Sequence, residues 1–164
     1  MSYSVLFVCL GNICRSPMAE AVFKDLVLRE GLGDRIAVDS AGTGDWHVGH
    51  PPHEGTRKLL DRNGISYAGM KARQIAKADG DRFDMIVAMD TRNERDIRGV
   101  LGASPKSEVI RFLSLMPEQG LADVPDPYYT GNFDEVYELV KEGCARLLAV
   151  VKERMAHAGH SDEG

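Results

Sequence analysis

Cys9, Arg15 and Ser16 stand in one short stretch, Cys9-Leu10-Gly11-Asn12-Ile13-Cys14-Arg15-Ser16, and their types suit one kind of chemistry. A loop that enters a helix N-terminus carries free N–H groups, and the helix dipole adds positive potential there. Successive N–H groups curling round one centre form a nest for a tetrahedral oxyanion. Gly11 and Asn12 are residue types that accept the positive φ such a curl demands. Arg15 adds a planar fork that can meet two phosphate oxygens at once, which lysine cannot match. The Gly-Lys-Ser/Thr ending of a nucleotide-binding loop is missing, so Mg-nucleotide binding is not indicated.

A thiol beside a helix N-terminus and an arginine is expected largely as thiolate at neutral pH. A thiolate aimed into a phosphate nest is a phosphoryl acceptor, so Cys9 would form a phosphocysteine that water later hydrolyses. Ser16 can donate a hydrogen bond to that sulfur. The departing oxygen needs an acid, and Asp123 and Asp126 lie together in Leu121-Ala122-Asp123-Val124-Pro125-Asp126-Pro127-Tyr128-Tyr129. Prolines on both sides stiffen Asp126, while Tyr128 and Tyr129 offer flat walls for an aromatic leaving group. The other reading of this stretch is a Pro-rich surface turn with two packing tyrosines. For the first loop the plain alternative is a buried small Cys9 and a solvated Arg15, but that leaves their shared setting unexplained.

The elements that must hold these residues follow an alternating pattern. Val5 to Cys9 reads as a strand buried on both faces. Ser16-Pro17 reads as a helix start, with Ser16 as N-cap and Pro17 at the first helical position, and Gly31 as its stop. Ile36 to Ala41 is a second strand, and a segment opened by Pro51-Pro52 carries Leu59 and Leu60 before Gly64. Phe83 to Ala88 is a third strand, followed by a charged helix from Asp90 to Arg98, and Val109 to Phe112 is a fourth strand. A long last helix carries Phe133, Val136, Tyr137, Val140, Cys144, Leu147, Leu148, Val151 and Met155 on one stripe. Strands alternating with helices predict an α/β fold with a parallel sheet covered on both faces, and ligands then bind at the carboxyl ends of the strands. The loop from Cys9 to Ser16 lies at such an end.

The chain has 164 residues, enough for one domain and one core without metal or disulfide. The domain is expected over 1–156, with a frayed tail over 157–164. Hydrophobic residues are 43% and charged residues 27%, which excludes a disordered or collagenous chain. With 20 basic and 25 acidic residues the formal charge is −5, which argues against a non-specific nucleic-acid binder. Three cysteines do not suit a disulfide framework. The first apolar run, Val5 to Leu10, is too short for a signal peptide or a membrane span, so a reduced, cytoplasmic protein without membrane contact is expected.

At Val8-Cys9-Leu10-Gly11-Asn12-Ile13-Cys14-Arg15-Ser16-Pro17 the chain resembles the low-molecular-weight protein tyrosine phosphatases. The likeness continues through Asp39-Ser40-Ala41-Gly42-Thr43, Lys71-Ala72-Arg73-Gln74, Phe83-Asp84 with Ala88-Met89-Asp90, Asp123 to Tyr128, and Phe133 onward to Cys144. The resemblance implies a single-domain, four-stranded parallel sheet with helices on both faces and a phosphate loop after the first strand. It implies Cys9 as nucleophile, Arg15 as the phosphate-binding arginine, and Asp126 as general acid and then base. Leu10, Gly11, Asn12, Ile13, Cys14 and Ser16 complete the loop; Asn12 and Ser40 would support its backbone, and Ser16 would stabilise the thiolate. Trp46, Tyr128 and Tyr129 would wall the cleft, and Cys14 would be a redox partner for Cys9. No metal or organic cofactor is implied, and the substrate would be a phosphotyrosine-containing protein met by a monomer. One position departs from the pattern: Met70 stands where many members carry a histidine that supports the loop asparagine.

Competing functions are a phosphoarginine phosphatase, a thioredoxin-coupled arsenate reductase and a phosphate-binding module without turnover; an FMN domain is suggested by architecture alone. The arsenate chemistry needs a relay of further cysteines, and only Cys144 remains, on the apolar stripe. His47, His50 and His53 surround Pro51-Pro52, which breaks any shared helical face, so they read as loop histidines near a cleft and not as metal ligands.

Overall fold

Val5, Leu6, Phe7 and Val8 are fully buried, because the first strand lies inside a sheet covered on both faces. The computed structural model describes residues 2–163, with side chains described up to residue 157. Its elements run β1 (Tyr3–Cys9), α1 (Arg15–Arg29), β2 (Ile36–Gly42), α2 (Glu54–Arg62), α3 (Asp79–Arg82), β3 (Met85–Ala88), α4 (Thr91–Leu101), β4 (Glu108–Arg111), α5 (Pro127–Thr130) and α6 (Phe133–Glu163). Among the described residues the sheet has four strands in the order β2-β1-β3-β4, and every pairing is parallel. The chain steps from β1 to one side and then crosses to the other, so the switch in strand order falls at the carboxyl end of β1.

Alternate side chains of β1 feed two cores. Val5, Phe7 and Cys9 join Met85, Val87 and Met89 against α1, α2 and α6, where Phe7 meets Phe23 edge-on with ring centres 5.7 Å apart. Leu6 and Val8 join Ile86 and Ala88 against Ile97 and Leu101 of α4, with Ile75 and Phe83. The apolar stripe expected on the last helix is buried from Val136 through Met155, with Phe133 and Tyr137 packed at its edge.

Several boundaries differ from expectation: β1 begins at Tyr3, two residues before Val5, and β2 runs on to Gly42. β3 begins at Met85, not Phe83, because Asp79–Arg82 forms a helical turn and Phe83 is its C-cap. α4 continues past Arg98 to Leu101, which burial of Ile97 and Leu101 rewards. β4 spans Glu108–Arg111, and Phe112 leaves it in a 3-10 turn that drops its ring into the core. The side chains of nearly all of the expected tail, 157–164, lie outside the described residues. No described helix is long and apolar enough to cross a membrane.

Candidate active site

The loop between β1 and α1 carries Cys9 at its base, 3% exposed, with Asn12 in the left-handed region at φ 56°. A non-glycine residue there is strained, and an asparagine tolerates it only with its side chain engaged. Asn12 Oδ1 accepts from the Arg73 N–H at 3.0 Å, and Nδ2 donates to Ser16 Oγ at 2.8 Å and to Ser40 Oγ at 2.9 Å. The expected Asn12–Ser40 pair is therefore formed. Met70 packs against the core instead, and the Arg73 N–H, Ser16 and Ser40 hold the loop asparagine.

Ser16 Oγ accepts from Asn12 Nδ2 and stands 3.0 Å from Cys9 Sγ, where it can donate to a thiolate or accept from a thiol, with the Ala41 carbonyl at 3.5 Å as its other acceptor. The Asn12 N–H adds a second donor to the sulfur at 3.3 Å. Both groups can donate to a thiolate at this position. These bonds also correct the helix-start reading: the N-cap of α1 is Cys14, without a side-chain cap bond, and Ser16 and Pro17 lie inside the first turn. The hydroxyl of Ser16 serves the sulfur, which leaves the first N–H groups of α1 for an anion.

Behind the loop, Ser40 Oγ donates a hydrogen bond to Glu20 Oε1 at 2.6 Å. Glu20 is buried, with Lys24 at 3.2 Å. Burial pushes its carboxyl up, against the pull of the Ser40 hydrogen bond and Lys24. A carboxyl raised in the folded state binds its proton more tightly there than in the unfolded chain. It therefore lowers stability as pH rises from its ordinary 4.5 to the raised value, and the loss persists above that. Glu20→Gln is expected to melt above the wild type at pH 7, with the gap closing below pH 4.5; thermal unfolding of both proteins across that range checks this.

Arg15 is 3% exposed. Its Nη1 is fully used, donating to Asp90 Oδ2 at 2.7 Å and to the Val124 carbonyl at 2.9 Å. Nη2 lies 3.5 Å from Asp126 Oδ2, and the buried Nε has no partner among the described residues. Nε and the second N–H of Nη2 are thus uncommitted, and this edge of the fork has the two-donor geometry that tetrahedral oxyanions accept. Burial alone would weaken the arginine's charge, but Cys9, Asp90 and Asp126 outweigh it and hold Arg15 more firmly protonated. Asp90 also caps α4, accepting from the Asn93 N–H at 2.6 Å. Asp123 accepts from the Thr91 N–H at 2.7 Å, and Asp126 is the carboxyl of this loop that lines the cleft.

Asp126 caps α5 through Oδ1, which accepts from the Tyr128 N–H at 3.1 Å, so Oδ2 is the oxygen that faces Arg15. Cys9, Asp126, Trp46, His47, Tyr128 and Tyr129 line one cleft of about 320 Å³, with Leu10, Gly11, Ile13 and Cys14 at its floor. Trp46 is 67% exposed yet seated: a Cβ on Gly44 would fall 1.9 Å from its ring. The Cys14 thiol is pushed up to about 12 by burial, with Cys9 and Asp126 adding to it, so Cys14 stays protonated beside the nucleophile position. Cys144 is wholly buried against α1 and also pushed up by burial. Among the described residues no three His, Cys, Asp or Glu side chains converge as metal ligands, His47, His50 and His53 included.

The sequence-predicted residues Cys9, Arg15, Asp126, Trp46, Tyr128 and Tyr129 come together in one place. Sequence reasoning missed Glu20 and Asp90, of which only Asp90, as an Asp at a helix start, carried a signal that could have singled it out; His47, expected as a loop histidine near a cleft, lines it.

A family model described as low molecular weight phosphotyrosine protein phosphatase matches residues 4–157. The chain is 56% identical over 150 residues to the low molecular weight protein-tyrosine-phosphatase YfkJ of Bacillus subtilis, covering 92% of this chain and 96% of that protein. The crystal structure of YfkJ superposes with a TM-score of 0.91 at 55% identity, covering 94% and 97% of the two chains. PtpA of Staphylococcus aureus, also a low molecular weight protein-tyrosine-phosphatase, is 44% identical over 144 residues, 88% of this chain and 90% of that protein. The drosophila arginine phosphatase DARP superposes with a TM-score of 0.83 at 36% identity, covering 90% and 97%.

Proposed function

The chain belongs to the low molecular weight phosphotyrosine protein phosphatase family, and on that premise we propose that it hydrolyses phosphotyrosyl groups of proteins through a phosphocysteine on Cys9. The observation that carries this reading is the meeting of the Cys9 sulfur, the free edge of the Arg15 fork and Asp126 Oδ2 in one aromatic-walled cleft. The Cys9 thiolate attacks phosphorus as the bond to the tyrosyl oxygen breaks. Asp126 Oδ2 gives that oxygen its proton, and Arg15 takes two of the remaining phosphoryl oxygens. The resulting Asp126 carboxylate then accepts a proton from water, whose oxygen attacks phosphorus and breaks the S–P bond. Ser16 stabilises the returning thiolate, and inorganic phosphate leaves.

Trp46, Tyr128 and Tyr129 support an aryl ester as substrate, and Cys144, enclosed in the core, supports hydrolysis over a cysteine relay. Cys14 is the thiol that would trap an oxidised Cys9 as a disulfide. The same reading has the enzyme working as a cytoplasmic monomer on phosphoprotein substrates, without nucleic acid or membrane.

The test is hydrolysis of p-nitrophenyl phosphate, a phosphotyrosyl peptide and a phosphoarginyl peptide under full reduction with EDTA present. Because nucleophile, arginine and acid all come from the chain, turnover is expected to be unchanged by EDTA. The phosphotyrosyl peptide should be preferred. A preference for phosphoarginine would move the substrate class to the one named for the drosophila relative. A reduced enzyme that turns over none of the three would leave a binding module.

A further inference from the structure

His53 joins the phosphate loop to the cleft wall. Its N–H donates to the Ile13 carbonyl of the loop at 2.7 Å. Its Nδ1 accepts from the Gly55 N–H at 3.0 Å and so caps α2. An accepting Nδ1 leaves Nε2 as the protonated nitrogen of the neutral ring. One face of that ring stacks on Phe133, with centres 5.3 Å apart and planes at 20°. Tyr128 meets it edge-on at 5.9 Å and 79°.

The plate is fixed from behind as well. Phe133 lies so close over Gly55 that a Cβ there would fall 2.4 Å from its ring, and it packs against Ile13, Cys14 and Ala72. His47 also stands 6.2 Å from Tyr128 at 55° and lies close over Gly11 of the loop. Tyr128 itself is 51% exposed and is framed by these rings and by Tyr129, which meets it edge-on at 5.1 Å and 80°. Histidine alone meets both demands at position 53. Asp, Asn or Ser would cap the helix but offer no plate; Phe would offer a plate but no acceptor.

We propose that His53 is a positioning residue for substrate recognition, holding Tyr128 at the angle that lets it pack on an aryl group attached to the phosphate over Cys9. This rests on the aryl-phosphatase reading above, and the test is built to separate the two. Calorimetry would compare phenylphosphonate, which reaches the walls, with inorganic phosphate, which reaches only the loop. The variants are His53→Asn, which keeps the cap and removes the plate, and His53→Phe, which keeps the plate and removes the cap.

His53→Asn is expected to melt near the wild type and bind phosphate as the wild type does, but to bind phenylphosphonate about 3–10-fold more weakly, the scale of one aromatic pair. His53→Phe is expected to melt lower while keeping the wild-type ratio of the two affinities. Equal loss of both ligands in His53→Asn would mean that the residue serves only the loop backbone, and would overturn the proposal. So would an unchanged phenylphosphonate affinity, or a ratio disturbed as much by His53→Phe. Wild-type hydrolysis of p-nitrophenyl phosphate, measured alongside, tests the phosphatase reading separately, because the binding ratio does not depend on turnover.

Discussion

Cys9→Ser is expected to lower kcat for p-nitrophenyl phosphate by about 10⁴-fold or more, while inorganic phosphate still binds. The loss is chemical. A serine hydroxyl in the same place is not ionised near neutrality, and the two bonds that reach the sulfur, from Ser16 at 3.0 Å and the Asn12 N–H at 3.3 Å, stabilise an anion that serine does not supply. Binding is spared because the anion is held by the loop N–H groups and by the Nε–Nη2 edge of Arg15, none of which belongs to the Cys9 side chain. Steady-state kinetics with phosphate titrated by calorimetry gives both numbers. Residual turnover within tenfold of wild type would remove Cys9 as nucleophile and the phosphocysteine with it.

The second large effect is graded by leaving group. Asp126→Ala and Asp126→Asn should each cost about 10²–10⁴-fold on phenyl phosphate, whose oxygen leaves poorly without a proton, and far less on an activated nitrophenyl ester. The pair of variants is informative because Asp126 does two things. Oδ1 caps α5 by accepting from Tyr128, and Oδ2 faces Arg15 at 3.5 Å. Asparagine keeps the cap acceptor and loses the transferable proton. If the cap were what mattered, Asp126→Asn would resemble the wild type and only Asp126→Ala would fail. If proton delivery matters, the two variants fall together, and their losses grow as the leaving group worsens. A loss of equal size on every leaving group would argue against the acid assignment.

The phosphate loop was legible because its chemistry is contiguous. Cys9, Gly11, Asn12, Arg15 and Ser16 each have a reason to be there that can be stated from type and spacing, and the strand and helix on either side orient them. Local competition is what the sequence pattern does not reveal. Ser16-Pro17 looks like a cap and a first helical residue, but the Ser16 hydroxyl is claimed by Cys9 and Asn12, so the helix begins at Arg15. What was not legible were partners brought together by the fold. Asp90 grips Arg15 across 75 residues, and Glu20 meets Ser40 from a different element. His53 reads in sequence as a loop histidine, since nothing near it announces that Tyr128 and Phe133 will frame its ring.

The walls of the cleft and its floor are joined by main chain. The Thr43 and Gly44 N–H groups donate to the Cys9 and Leu10 carbonyls, and His53 N–H to Ile13, so the segments that carry Trp46, His47 and Tyr128's support are tethered without using a side chain. Side chains on those segments can change while the tethers and the phosphoryl-transfer residues stay as they are. In evolutionary terms the reaction and the choice of leaving group are separate modules. Wall residues of such a scaffold can be replaced while the tethers that hold the loop stay in place.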